Sequence, residues 1–239
     1  MESLAHPSGN RRPLQLIASA GHTAAFIAVV LVMAIGGAVF QHGGSATAAA
    51  APQRSSAIPV YLSALALECA LAWFVIWSVR PTGTTLRELV GGRWDTIGDV
   101  VKDVVLGGLA WGAWISIAAA WHRLSPEGAA RSIDPMLPRG IVEGALWIAV
   151  SMSAGFAEEL AFRGYLQRQC AALTGSLILG VIIQASVFGI AHGYQGVDAC
   201  LRIAAYGVLF GLLAAWRGSL RAGMIAHAWT DIAAGLLRI

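Results

Sequence analysis

Apolar residues run along this chain in blocks, separated by short stretches rich in glycine, proline, serine and arginine. The blocks cover about residues 14–40, 57–79, 100–121, 140–162, 175–192, 200–216 and 219–238. Roughly 20 apolar residues are needed to cross the hydrocarbon core of a bilayer as a helix. The blocks beginning at Ala57, Gly175 and Leu201 lack the periodic polar face of a soluble amphipathic helix. The pattern predicts an all-α fold: a polytopic transmembrane helical bundle of about seven to eight spans.

The stretches between the blocks divide the chain. Residues 1–13 are polar and are expected to form a disordered N-terminal tail. The run from Leu14 to Phe40 is too long for a signal-peptide core of ~7–15 residues and reads as a retained first span. The linker at 80–99 holds Pro81, Gly83, Gly91 and Gly92, with a short interfacial helix expected from Thr85 to Val90. Pro126, Pro135 and Pro138 argue against continuous helix across 122–139. The expected organisation is therefore a tail at 1–13, N-terminal transmembrane helices at 14–136 and a C-terminal transmembrane core at 137–239. Gly207 and Gly211 form a GxxxG, read as close helix packing within one bundle.

Composition narrows the class further. The 239 residues are 57% hydrophobic and 12% charged, with a mean hydropathy of +0.67; soluble domains carry about 25% charged residues. The net charge of +3 is spread over many short loops, with no basic run dense enough to track phosphates, so no nucleic-acid partner is expected. Cys69, Cys170 and Cys200 have no metal-ligand spacing; Cys69 and Cys200 read as buried small apolar residues. With the N-terminus in the cytoplasm, that side would carry Arg11, Arg12, Arg80, Arg87, Arg93, Arg163, Arg168, Arg217 and Arg221. The other side would carry Arg54, Arg123, Arg131, Arg139, Arg202 and Arg238. This modest bias favours a cytoplasmic N-terminus.

Ionisable residues inside such blocks are costly and usually mark a working site. Glu158 and Glu159 are adjacent, with Arg163 one turn on; His192 ends the fifth block; His227 and Asp231 lie inside the last. On a helix Glu159 and Arg163 share a face, as do His227 and Asp231, while Glu158 points elsewhere. A glutamate and a histidine can together take a proton from water, and a second histidine can stabilise the resulting oxyanion. Alternatively Glu158, His192 and His227 could ligate zinc, leaving a position open for water. Glu68, mid-block, either lines the cavity or pairs internally. Glu143 and His22 are given a structural reading, Lys102 and Asp103 are expected to reach an interface, and the tryptophans read as belt or packing residues.

The order EExxxR, FxxxH and HxxxD, each in a separate apolar block, resembles the CPBP family, which groups type II CAAX prenyl endopeptidases with bacterial proteins tied to bacteriocin processing or immunity. Glu158, His192 and His227 are spaced 34 and 35 residues apart, and the motif-bearing region covers about 140–235. The resemblance implies Glu158 as catalytic glutamate, His192 as its partner in activating water, and Glu159 with Arg163 as the supporting pair. It places His227 and Asp231 where the oxyanion is stabilised. Asp231 stands where many members have asparagine, and an ionised aspartate cannot donate a hydrogen bond.

The resulting expectation is an intramembrane endopeptidase with a polar catalytic cavity inside the bundle. Its partners would be the lipid bilayer and a membrane-anchored protein or peptide, processed at a CAAX-like, C-terminal or leader tag. No cofactor is required on this reading, with a divalent metal such as zinc as the alternative. The expected location is a prokaryotic inner membrane. A non-catalytic immunity or regulatory protein would use the same buried cluster for binding, and a proton-coupled transporter would also need buried Glu and His.

Overall fold

The computed structural model describes residues 14–48, 56–124 and 136–237. Every regular element among them is helical: α1 (Ala20–Ala48), α2 (Ile58–Val79), α3 (Leu86–Val90), α4 (Ile97–Leu124) and α5 (Gly140–Glu158). A nine-residue π-helical segment, Glu159–Gln167, then leads into α6 (Arg168–Thr174), followed by α7 (Leu177–Ala191), α8 (Val197–Arg217) and α9 (Arg221–Leu236). The expected tail at 1–13 and the prolines Pro126 and Pro135 lie outside the described residues, as do Arg11, Arg12, Arg54, Arg131 and Arg238.

Five helical stretches are long and apolar enough to cross a membrane: Ala20–Gly37, Ile58–Thr82, Ile97–Leu124, Gly140–Thr174 and Val197–Arg217. Helices α7 and α9, at 15 and 16 residues, are shorter than a full crossing. Large apolar side chains point outward along the long helices, with Val32, Ile35, Leu109, Ile141 and Trp216 all more than 60% exposed. So much outward apolar surface suits hydrocarbon and not water. Cys69, expected to be buried, is on this outer surface of α2; a bilayer solvates a small apolar side chain as well as a core does.

The fourth block ends later than its sequence suggests. Polar residues after Phe162 look like the end of a span, yet the helix runs without a break to Thr174, where Gly175 turns it off with a positive φ of 68°. Those residues are buried against protein groups. Gln167 donates to the carbonyl of Gly211 at 3.0 Å. Gln169 accepts from the Ile17 amide at 2.9 Å and donates to the Ala18 carbonyl at 2.6 Å, pinning the chain just before α1. Both amide side chains thus find protein partners that hydrocarbon could not offer.

The π-helical segment forms the centre of the bundle. All nine of its residues are buried, and it packs against α2, α3, α5, α6, α7 and α8. Around it α7 lies along α8, α9 packs on both α4 and α5, α2 packs on α5, and α1 crosses α7. Gly155 makes the α5–α9 contact possible: a Cβ there would lie 2.9 Å from the Met224 carbonyl and 3.0 Å from the Ala228 amide. Gly207 and Gly211 face α7 within the bundle, against Ala185 and Gln184.

The linker helix α3 is closed by a capping box, with Thr85 accepting from the Glu88 amide at 3.2 Å and Glu88 accepting from the Thr85 amide at 2.8 Å. Asp103 points into the protein and not outward. It is fully buried, accepting from Trp94 Nε1 at 2.8 Å and paired with Arg217 at 3.0 Å and Arg221 at 2.8 Å. Two of its partners, at the end of α8 and the start of α9, lie more than a hundred residues away in sequence, which is why local pattern misplaces it. Lys102 beside it is exposed. Glu143 keeps a structural role, accepting from the amides of Ala57 and Arg139 and so joining the starts of α2 and α5.

Candidate active site

Five elements bring the chemistry-bearing residues together. Glu158 closes α5 and Glu159 opens the π segment; His227 and Asp231 lie one turn apart on α9; His192 caps the end of α7. The fifth element carries the residue that sequence left open between two readings: Glu68 of α2 turns inward, 8% exposed, with its carboxyl toward that of Glu158. A hydrogen bond between two carboxyls needs a proton on one of them.

His227 is the hub. Its Nδ1 lies 3.0 Å from Glu159 Oε1, a carboxylate oxygen that can only accept, so Nδ1 carries the proton. On the other edge of the ring, Nε2 lies 3.6 Å from Glu158 Oε2 and 3.6 Å from Asp231 Oδ2. Three carboxyl groups therefore surround one imidazole. Its ring is held by Tyr206, edge-on at 5.2 Å between centroids, and by Phe188 at 6.2 Å.

Beneath the hub lies an ion pair cut off from solvent. Arg163 Nη1 sits 3.1 Å from the same Glu159 Oε1 that accepts from His227, and both side chains are at most 1% exposed. The guanidinium lies over the Phe188 ring, 4.3 Å from its centroid, where the π face adds to the countercharge. Glu159 and Arg163 thus share a face, as their spacing predicts, although the helix there is π and not α. Glu159 Oε2 abuts Gly223 of α9, where an added Cβ would come within 3.1 Å.

Exposure rises outward from this base. Side-chain exposure is 6% for His227, 17% for Glu158 and 35% for Asp231. The inner residues are enclosed by protein and the outer ones are progressively more accessible. Asp231 is also held through its backbone, whose carbonyl accepts from Trp147 Nε1 at 2.8 Å. A separate hollow of about 500 Å³ is lined by Trp94, Phe156, Arg221, Met224 and Ile225, all outside the carboxyl cluster.

His192 stands apart from the carboxyl cluster. Its Nδ1 donates to the Phe188 carbonyl at 2.9 Å, one turn back, which leaves the lone pair of the neutral ring on Nε2. Phe188 spaces it from His227, with ring centroids 4.9 Å and 6.2 Å away. Among the described residues, no hydrogen bond or ion pair links His192 to Glu158. Tyr194, two residues on, accepts from Gln195 Nε2 at 2.9 Å and lies within electrostatic reach of Glu68, Glu158 and Asp231. Sequence reasoning missed Tyr194 altogether; its place just after FxxxH was the available signal.

The metal alternative can be tested on the donor set. Among the described residues, no group of three His, Cys, Asp or Glu side chains is arranged to hold an ion. Both histidines donate Nδ1–H to protein acceptors, which leaves each Nε2 free to act, and no hydrogen bond or ion pair among the described residues joins His192 to the carboxyls.

Residues 141–233 match the family model described as type II CAAX prenyl endopeptidase Rce1-like. The resemblance to the CPBP family is thereby shown across this region, 93 of the 239 residues. The Rce1-like region begins with α5 and ends in α9, so it contains Glu158, Glu159, Arg163, His192, His227 and Asp231. Glu68 lies outside it. No curated protein and no solved structure matches the chain.

Proposed function

We propose that this protein is an intramembrane endopeptidase that hydrolyses a peptide bond of a membrane-anchored substrate. The observation that carries the reading is the meeting of Glu158 and Asp231 on one edge of His227, with Glu159 and Arg163 fixing the other edge. The Rce1-like match over the same residues supports the peptidase class. With Nδ1–H held by Glu159, Nε2 faces the two outer carboxyls, where a second proton makes it a hydrogen-bond donor.

In the proposed reaction Glu158 takes a proton from water, and the hydroxide formed attacks the scissile carbonyl carbon. His192 Nε2 accepts the water's second hydrogen bond and orients the attack. Negative charge collects on the carbonyl oxygen. His227, with Nδ1–H already committed to Glu159, donates through Nε2 as the imidazolium and stabilises that oxyanion. Asp231 keeps Nε2–H aimed at the site before the oxyanion forms. The proton on Glu158 then passes to the amide nitrogen, the C–N bond breaks, and acid and amine products leave. The residues perform this cycle without a metal.

The substrate would be a CAAX-like tail, another C-terminal tag or a leader peptide. The N-terminus is proposed to be cytoplasmic, on the arginine bias of the loops, in a prokaryotic inner membrane. Arg163 drops out of that bias, because it is buried at the centre of the bundle. The test is cleavage of a farnesylated CAAX peptide and of tagged membrane-anchored peptides in vesicles by wild type, Glu158→Ala and His192→Ala. Both variants should fold and lose turnover; wild-type-like turnover by either one sinks its assigned role.

A further inference from the structure

The Rce1-like match begins at residue 141, yet one acidic side chain from well before it reaches the site. Glu68 lies in the middle of α2, a helix whose mean composition is strongly apolar and which holds no other charged residue. It is only 8% exposed. One oxygen, Oε2, is buried without any hydrogen-bond partner, a cost no packing argument explains. Its carboxyl meets Glu158, the residue assigned to activate water. The other titratable groups within electrostatic reach are His227, Asp231 and Tyr194, all belonging to the same opening.

We propose that Glu68 is a positioning residue for Glu158, supplied by α2 from outside the family-matched region. The inference rests on the peptidase reading above. A carboxylate has two oxygens, and a general base works through one of them. The hydrogen bond from Glu68 occupies one side of the Glu158 carboxyl and fixes its plane, leaving the remaining lone pairs for water. Two carboxyls sharing one proton can exist side by side where two carboxylates would repel.

Substitution separates this role from simple packing. Glu68→Gln keeps a donor facing Glu158, while Glu68→Leu fills the space and removes the hydrogen bond. With the purified protein in vesicles and a farnesylated CAAX peptide as probe, Glu68→Gln should stay within about tenfold of wild-type kcat. Glu68→Leu should lose roughly 10²-fold in kcat with KM little changed, the range typical of disabling general acid–base catalysis. Infrared spectroscopy of the substrate-free protein supplies a second readout. Wild type should show a hydrogen-bonded carboxylic-acid band that both Glu68→Gln and Glu158→Gln remove.

Full activity in Glu68→Leu, alongside a dead Glu158→Ala, overturns the role of Glu68 and leaves the peptidase reading standing. Full activity in Glu158→Ala sinks that reading itself. A carboxylic-acid band that survives both glutamine variants overturns the pairing whatever the peptide assay shows.

Discussion

His227 donates its Nδ1–H to Glu159 Oε1 across 3.0 Å, and the same oxygen sits 3.1 Å from Arg163. One buried carboxylate therefore sets the tautomer of the ring and neutralises the guanidinium at the centre of the bundle. Glu158 and Glu159 are neighbours in sequence but have opposite surroundings: Glu159 is sealed in, while Glu158 faces the opening.

Loss of the sealed charge should be a stability defect before it is a catalytic one. Glu159→Gln leaves Arg163 buried beside a neutral amide, and breaking one side of a buried ion pair costs about 3–5 kcal/mol. Thermal denaturation in detergent should show a large drop in Tm. The double variant Glu159→Leu with Arg163→Met should be less destabilised than the two single effects combined, because an apolar pair removes both charges. Additive losses would argue that the two residues are not energetically coupled.

Glu158 should behave in the opposite way. Its side chain is partly exposed and its ionic contact, to His227, is long at 3.6 Å, so Glu158→Gln should keep a near-wild-type Tm. Turnover of a cleaved peptide should fall about 10²–10⁴-fold, the usual contribution of a positioned base. A Tm loss as large as that of Glu159→Gln would show that the outer glutamate is structural too.

The contrast also shows how much could be read without coordinates. Seven apolar blocks locate α1, α2, α4, α5, α7, α8 and α9, and Thr85 with Glu88 announces the cap of α3. Those signals are local, set by composition or by contacts three residues apart. What escaped notice depends on distant partners. Gln167 and Gln169 looked like the end of a span because Gly211, Ile17 and Ala18 are far away in sequence. Asp103 looked interfacial because Arg217 and Arg221 come from the other end of the chain. The π-helical turn from Glu159 has no compositional signature, and Glu68 gains meaning only when α2 packs against α5. The motif residues were legible because three spans each carry one, but the sharing of Glu159 between Arg163 and His227 was not.

Asp231 approaches His227 Nε2 only to 3.6 Å, and its firm contact, from Trp147, is made by the backbone carbonyl. Asp231→Asn therefore keeps its backbone anchor and adds an amide donor beside the site. Activity within about tenfold of wild type is expected, while Asp231→Ala should lose more. Complete inactivity of Asp231→Asn, with Tm unchanged, would mean that the negative charge itself is required.

Chelation tests the chemistry assigned to the side chains alone. Protein stripped with a strong chelator should keep its turnover, since no three donor side chains among the described residues converge on an ion. Loss of activity that returns on adding zinc, with one metal bound per chain, would replace the proposed mechanism with a metal-assisted one.

The site also depends on how closely α5 and α9 approach, because Glu158 is on one and His227 on the other. Gly155→Val places a Cβ against the Met224 carbonyl, the Ala228 amide and the Ala228 Cβ, all within about 3 Å. Overpacking of this kind costs about 1–3 kcal/mol and pushes the helices apart. Gly112→Val in α4 is the control, since a Cβ there meets nothing within 4 Å. Turnover should collapse in Gly155→Val and persist in Gly112→Val, with a disulfide or spin-label distance between α5 and α9 reporting the separation. Equal activity in the two variants would show that the 3.6 Å approach of Glu158 to His227 is not needed for the chemistry.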